Sequence, residues 1–121
     1  MKRVVVIEDN PDNRLLVRAI LESHYELTEY DSGSEALAAM ADDPPDAVLL
    51  DISLPEMDGT EVLEVIRNSE SLRDLSVVAL TAHAMVGDSE RFMAAGFDHY
   101  VSKPILEPEA LIKALRKLLG E

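Results

Sequence analysis

Four short stretches in this chain, three of them wholly apolar, each stop on a residue with useful chemistry. Val4-Val5-Val6-Ile7 runs into Glu8-Asp9, Ala47-Val48-Leu49-Leu50 into Asp51, and Val77-Val78-Ala79-Leu80 into Thr81. The shorter His99-Tyr100-Val101-Ser102 runs into Lys103-Pro104. Gathered in one place, three carboxylates repel one another, and like charges sharing a site shift their pKa values strongly. A hard divalent cation relieves that repulsion. Oxygen donors alone, in a chain without cysteine, select Mg²⁺ over softer metals. Lys103 would add a fixed positive charge, and Thr81 a hydroxyl donor. Such a set makes a poor hydrolase but a good receptor for a phosphoryl group. An Asp carboxylate can attack phosphorus, and metal and ammonium stabilise charge on the transferring oxygens. Singly, each feature has a plainer reading: Asp51 as a turn cap, the acid pair as surface, Lys-Pro as a turn. What decides is whether the fold brings them together.

The elements predict that it does. Val4–Ile7 is an aliphatic, β-branched strand, followed by Asn10 as a helix cap and Pro11 as a first helical residue. The helix Pro11–Ser23 then places Leu15, Leu16, Ala19 and Ile20 on one face, with Arg14, Arg18 and Glu22 opposite. Tyr25–Tyr30 alternates as an edge strand, and Glu35–Ala41 is a short helix stopped by Pro44-Pro45. After Asp51, Pro55 and Gly59 break the chain, and Thr60 caps a helix reaching Asn68 with Val62, Leu63 and Ile66 inward. The strand from Ser76 to Thr81 leads into a polar loop, His83–Ser89, and a helix Glu90–Ala95 closed by Gly96. His99–Ser102 is a fifth strand, and Pro108–Leu119 a last helix with Leu111, Ile112, Leu115, Leu118 and Leu119 on its apolar stripe.

Strands alternating with helices predict a doubly wound α/β fold with a five-stranded parallel sheet. Runs one, three and four are the most uniformly apolar and so should lie inside, which the order 2-1-3-4-5 satisfies. Right-handed crossovers then put two helices on one face and three on the other. In that order the carboxyl ends of neighbouring strands, about 4.8 Å apart, carry Glu8-Asp9, Asp51, Thr81 and Lys103. Ligands of open parallel sheets bind outside those ends.

Composition narrows the partners. With 121 residues the chain reads as one domain, 1–121, able to bury a core without disulfides. Its 24 acidic against 11 basic side chains give a net charge of −13, which repels nucleic acid and anionic lipid. The amino terminus has too short an apolar run for a signal peptide, and no run approaches the roughly 18 residues of a membrane span. A cytoplasmic protein is expected.

Along its whole length the chain resembles a response-regulator receiver domain of two-component signalling, a flavodoxin-like fold. The residues carrying the resemblance are Glu8-Asp9, Asp51 within Asp51-Ile52-Ser53-Leu54-Pro55-Glu56-Met57-Asp58-Gly59, Thr81-Ala82, Tyr100 and Lys103-Pro104. The resemblance implies that Asp51 is the phosphoacceptor, served by Thr81 and Lys103, which bind the phosphoryl oxygens. It implies Mg²⁺ held by Asp9, Asp51 and the Ser53 backbone carbonyl, with Glu8 acting through water. It makes Thr81 and Tyr100 a switch that remodels the face of the fourth helix and fifth strand. It places Ser53 and His83 where phosphoryl lifetime is tuned, and makes the Lys103–Pro104 peptide cis. Glu8 departs from the commoner Asp at its position.

The implied partners are a sensor histidine kinase or histidine phosphotransfer protein upstream and a protein target downstream, with no direct nucleic acid or membrane contact. The implied activity is at most self-catalysed phosphotransfer and slow autodephosphorylation. The loop and helix from Thr81 to Gly96 resemble single-domain and hybrid-kinase receivers more than those of transcription factors. Ending at Glu121, the chain fits a stand-alone regulator or a receiver cut from a hybrid kinase. Competing readings fare worse. A phosphatase with an aspartyl nucleophile wants an acidic residue at Ser53, and a flavin binder would meet repulsion from Glu8-Asp9. A calcium loop finds no matching segment. A receiver-fold adaptor that is never phosphorylated would have no need of the acceptor set.

Overall fold

The computed structural model describes residues 1–82, 88–103, 105 and 107–121, with backbone alone described at 88 and 89. Five strands and five helices alternate: β1 Arg3–Ile7, α1 Pro11–Leu21, β2 Glu26–Tyr30, α2 Gly33–Asp42, β3 Ala47–Asp51, α3 Gly59–Arg67, β4 Ser76–Thr81, α4 Asp88–Ala95, β5 His99–Ser102 and α5 Pro108–Leu118. All strand pairs are parallel, in the order β2-β1-β3-β4-β5.

The uniformly apolar runs are explained by burial on both faces. Side chains alternate along a strand. Val5, Ile7, Val48, Leu50, Val77 and Ala79 therefore enter one core with Ala36, Met40, Val62, Leu63, Ile66 and Phe92 from α2, α3 and α4. Val4, Val6, Ala47, Leu49, Val78 and Leu80 enter the other with Val17 and Leu21 of α1 and Leu111, Ile112 and Leu115 of α5. This is the expected division of three helices against two.

Several local expectations shift. The inward face of α1 carries Val17 and Leu21, whereas Leu15 is 58 % and Leu16 38 % exposed. Two apolar stripes compete on that helix, and packing against α5 and β1 selects the one containing Val17. The cap of α3 is Asp58, whose Oδ1 accepts from the Glu61 N–H at 3.0 Å. Thr60 lies inside the helix and donates its hydroxyl to the same oxygen. Helix α4 begins at Asp88, earlier than Glu90, and the remainder of the expected loop, 83–87, lies outside the described residues.

Two side-chain devices fix the loops. The Arg67 guanidinium at the end of α3 donates to the carbonyls of Gly96, Arg73 and Leu75 and pairs with Asp98 at 3.0 Å. Asp98 in turn accepts from the Val77 N–H. Gly96 has φ +115, which suits glycine at the end of a helix.

Gly59 is needed for a different reason. A Cβ there would lie 2.5 Å from the Asp51 carbonyl oxygen and 2.7 Å from the Ile52 Cα. Backbone cannot yield as a flexible side chain does. Gly59→Ala is therefore expected to lower the unfolding free energy by roughly 1–3 kcal/mol, read as an earlier urea midpoint at unchanged slope.

Candidate functional site

The sheet carries Glu8, Asp51, Thr81 and Lys103 to one end, as expected. Asp51 closes β3 opposite Leu80, and Thr81 closes β4 opposite Ser102, one residue before Lys103. The Lys103 N–H donates to the Thr81 carbonyl at 2.7 Å, extending the ladder past β5 and fixing where the lysine leaves it. Asp51, Glu8 and Thr81 are the only buried polar or charged residues among those described.

Lys103 Nζ lies 3.1 Å from Asp51 Oδ1 and 3.3 Å from Glu8 Oε1, bridging two buried carboxyl groups. The Ser53 N–H donates to Asp51 Oδ1 at 3.0 Å. Glu8, Asp9 and Asp51 each offer an oxygen, all within 4.8 Å of one another, and Asp9 is exposed. Three oxygen donors with one side open to solvent fit a hard divalent cation that keeps waters.

The two buried acids titrate in opposite directions. Burial, then the hydrogen-bonded Asp51, push Glu8 up to about 7. Burial would raise Asp51 as well, but hydrogen bonds from Glu8, the Ser53 amide and Lys103 outweigh it and hold its carboxyl low. For Lys103, burial works against the charge, and the two carboxylates overcome it and raise its pKa. A neutral Glu8 beside an ionised Asp51 lets the carboxyl groups share the pocket without full repulsion.

The remaining expected residues are accounted for as follows. Ser53 is exposed beside Asp51. Tyr100 is half-buried against the core, its ring 5.8 Å from that of Phe92. Tyr100 pairs with Ala79 and Ser102 with Thr81, so Thr81 and Tyr100 share a face of the sheet. His83 and the Lys103–Pro104 peptide lie outside the described residues.

Two residues of α1 belong to the site without having been singled out. Asn13 Nδ2 donates to Glu8 Oε1 at 2.5 Å. Arg14 Nη1 donates to the carbonyls of Glu8 and Asp9, at 2.7 and 3.1 Å. The signal was present in the spacing. Side chains in the first turn of a helix lean toward its amino end, which here is the end of β1.

In metal-free protein, the raised Glu8 pKa has a measurable sign. Between its ordinary value of 4.5 and about 7 the folded protein keeps a proton that the unfolded chain releases. Stability from this group therefore falls as pH rises through that window and levels off above it. Asp51 acts in the opposite sense, with stability lost only as pH falls below its ordinary value of 3.8. Urea denaturation at pH 5, 6 and 7 should show the first slope in the wild type and a flatter one in Glu8→Gln. Equal slopes would contradict the assignment.

The sequence profile of the response regulator receiver domain matches residues 4–116. The polar-differentiation response regulator DivK of Brucella ovis is 42% identical over 121 residues, covering 99% of this chain and 98% of the relative. DivK of Brucella anthropi is 40% identical over the same coverage. Among solved structures, the receiver domain of the sensor histidine kinase PA1611 of Pseudomonas aeruginosa superposes with a TM-score of 0.89 at 33% identity, covering 99% of this chain and 98% of that one. That structure has a magnesium ion coordinated in its active site cleft. The chemotaxis response regulator CheY4 of Vibrio cholerae gives a TM-score of 0.88 at 27% identity, covering 98% of this chain and 99% of that one.

Proposed function

Because this chain belongs to the response regulator receiver family of two-component signalling, we propose that it works as a phosphorylation switch with Asp51 as its acceptor. The observation that carries the reading is the Asp51 carboxylate at the end of β3, ionised and 3.1 Å from Lys103 Nζ, beside the carboxyl groups of Glu8 and Asp9. An Asp51 oxygen attacks the phosphorus of a phosphohistidine on a kinase or phosphotransfer protein. The O–P bond forms as the P–N bond breaks, and the imidazole leaves with the electron pair and takes up a proton.

Residues around Asp51 divide the work. Lys103 balances charge on the phosphoryl oxygens, and the Thr81 hydroxyl donates to one of them. Asp9, Asp51 and the Ser53 carbonyl would hold Mg²⁺, with Glu8 acting through water. The coordinated magnesium in the PA1611 receiver supports this choice of ion. Bound there, the ion would neutralise charge that gathers on the phosphoryl oxygens. By family resemblance, Ser53 and His83 occupy the positions that tune phosphoryl lifetime.

The output is a changed surface rather than turnover. A phosphoryl group adds roughly −1.5 to −2 charge to a site already acidic, so it acts through specific contacts. The Thr81 hydroxyl moves toward it, and the Tyr100 ring turns into the space vacated on the same face, altering the surface of α4 and β5 for a downstream protein. Residues 1–121 act as one cytoplasmic receiver unit. Among the described residues no helix is long and apolar enough to cross a membrane. The net charge of −13 disfavours direct contact with nucleic acid.

Incubation with Mg²⁺ and acetyl phosphate, followed by intact mass measurement, tests the acceptor directly. One phosphoryl adduct is expected in the wild type and none in Asp51→Asn. An adduct of equal yield in that variant would refute the assignment. Thr81→Ala should still label at Asp51 but lose the difference in partner affinity between its phosphorylated and unphosphorylated forms.

A further inference from the structure

Glu8 is the buried acid whose side chain is longest and whose support is least explained by the sheet. Its backbone is held by the ladder, since its N–H donates to the Tyr30 carbonyl at 3.0 Å. Its carboxyl lies beyond the last backbone pair, at the end of a flexible side chain, yet is wholly buried. Two side-chain donors meet on Oε1: Asn13 Nδ2 at 2.5 Å and Lys103 Nζ at 3.3 Å.

We propose that Asn13 is a positioning residue that holds the Glu8 carboxyl within reach of Asp9 and Asp51, and so sets the site's affinity for a divalent cation. This rests on the reading of the acid cluster as a Mg²⁺ site. The chemistry of an amide suits the task. It donates a hydrogen bond without adding positive charge, whereas a second cation beside Lys103 would oppose a metal. With Asn13 occupying Oε1, the ammonium is shared less completely with Glu8 and remains available to Asp51, 3.1 Å away.

Asn13 is itself well placed by the helix. It is half-buried in the first turn of α1, and its N–H donates to the Asn10 cap at 3.3 Å. Its neighbour Arg14 ties down the Glu8 and Asp9 carbonyls. The first turn of α1 thus secures the backbone of the acid pair with one residue and the Glu8 side chain with the next. Outer partners of metal ligands typically alter affinity by about 10–100-fold when removed.

The test measures Mg²⁺ binding to unphosphorylated protein by titration calorimetry. Asn13→Ala keeps the backbone N–H used by the cap and introduces a good helix former, so the thermal midpoint should stay where it is. The dissociation constant for Mg²⁺ should rise by about tenfold, and that rise should shrink to less than about twofold in a Glu8→Gln background. An unchanged affinity in Asn13→Ala, or an equal rise in both backgrounds, overturns the proposal. Wild-type protein that binds no Mg²⁺ overturns it together with the metal reading. Wild-type protein that binds Mg²⁺ but gains no phosphoryl group from acetyl phosphate defeats the acceptor reading and leaves the role of Asn13 standing.

Discussion

A carboxylate cannot stay ionised beneath an apolar sheet unless something answers its charge, and Asp51 obeys that constraint. It is 2 % exposed, at the end of a strand whose other four residues are wholly buried. Removing one partner from a buried ion pair costs about 3–5 kcal/mol, because the other charge is left unanswered. Lys103 supplies the one positive charge among the three groups, with Glu8 and the Ser53 amide, that keep Asp51 ionised. Its position depends in turn on β5 pairing with β4 and on the Lys103 N–H reaching the Thr81 carbonyl. The last strand of the sheet is held in register for the sake of a charge two strands away.

The same constraint separates the two buried acids. Asp51 gathers donors, from Glu8, Ser53 and Lys103, while burial raises the Glu8 pKa to about 7. Among the described residues every buried side-chain nitrogen or oxygen has a hydrogen-bond partner. Low dielectric makes such a network sensitive to any added charge. A charged group entering here would meet groups whose protonation and contacts are already balanced against one another.

Much of this was legible in the sequence because it followed from strong local rules. Uniform apolar runs at Val4–Ile7, Ala47–Leu50 and Val77–Leu80 can only be interior strands of a parallel sheet, and polar residues directly after them must then share an edge. Asn10 and Gly96 marked helix ends by chemistry that does not depend on context. The face of α1 was not legible. Leu15 and Leu16 offer as good a stripe as Val17 and Leu21, and only the packing of α5 decides between them. Asp58 displaced Thr60 as the α3 cap because both can accept the bond and the backbone places Asp58 correctly. Asn13 has only its place in the first turn of α1 to mark it, since its contact with Glu8 leaves no trace in the hydrophobic pattern.

The Arg67 clamp has a mechanical consequence. By binding Gly96 and Asp98, it anchors the chain just before β5 begins, and Asp98 is further tied to the first residues of β4. The amino end of β5 is thereby a fulcrum. Strain arriving at its carboxyl end, where Lys103 meets the acids, would swing the strand about that fixed point sooner than slide it, with the displacement smallest beside Asp98. Tyr100 stands two residues past Asp98 on that arm, its ring 5.8 Å from that of Phe92 in the core behind it.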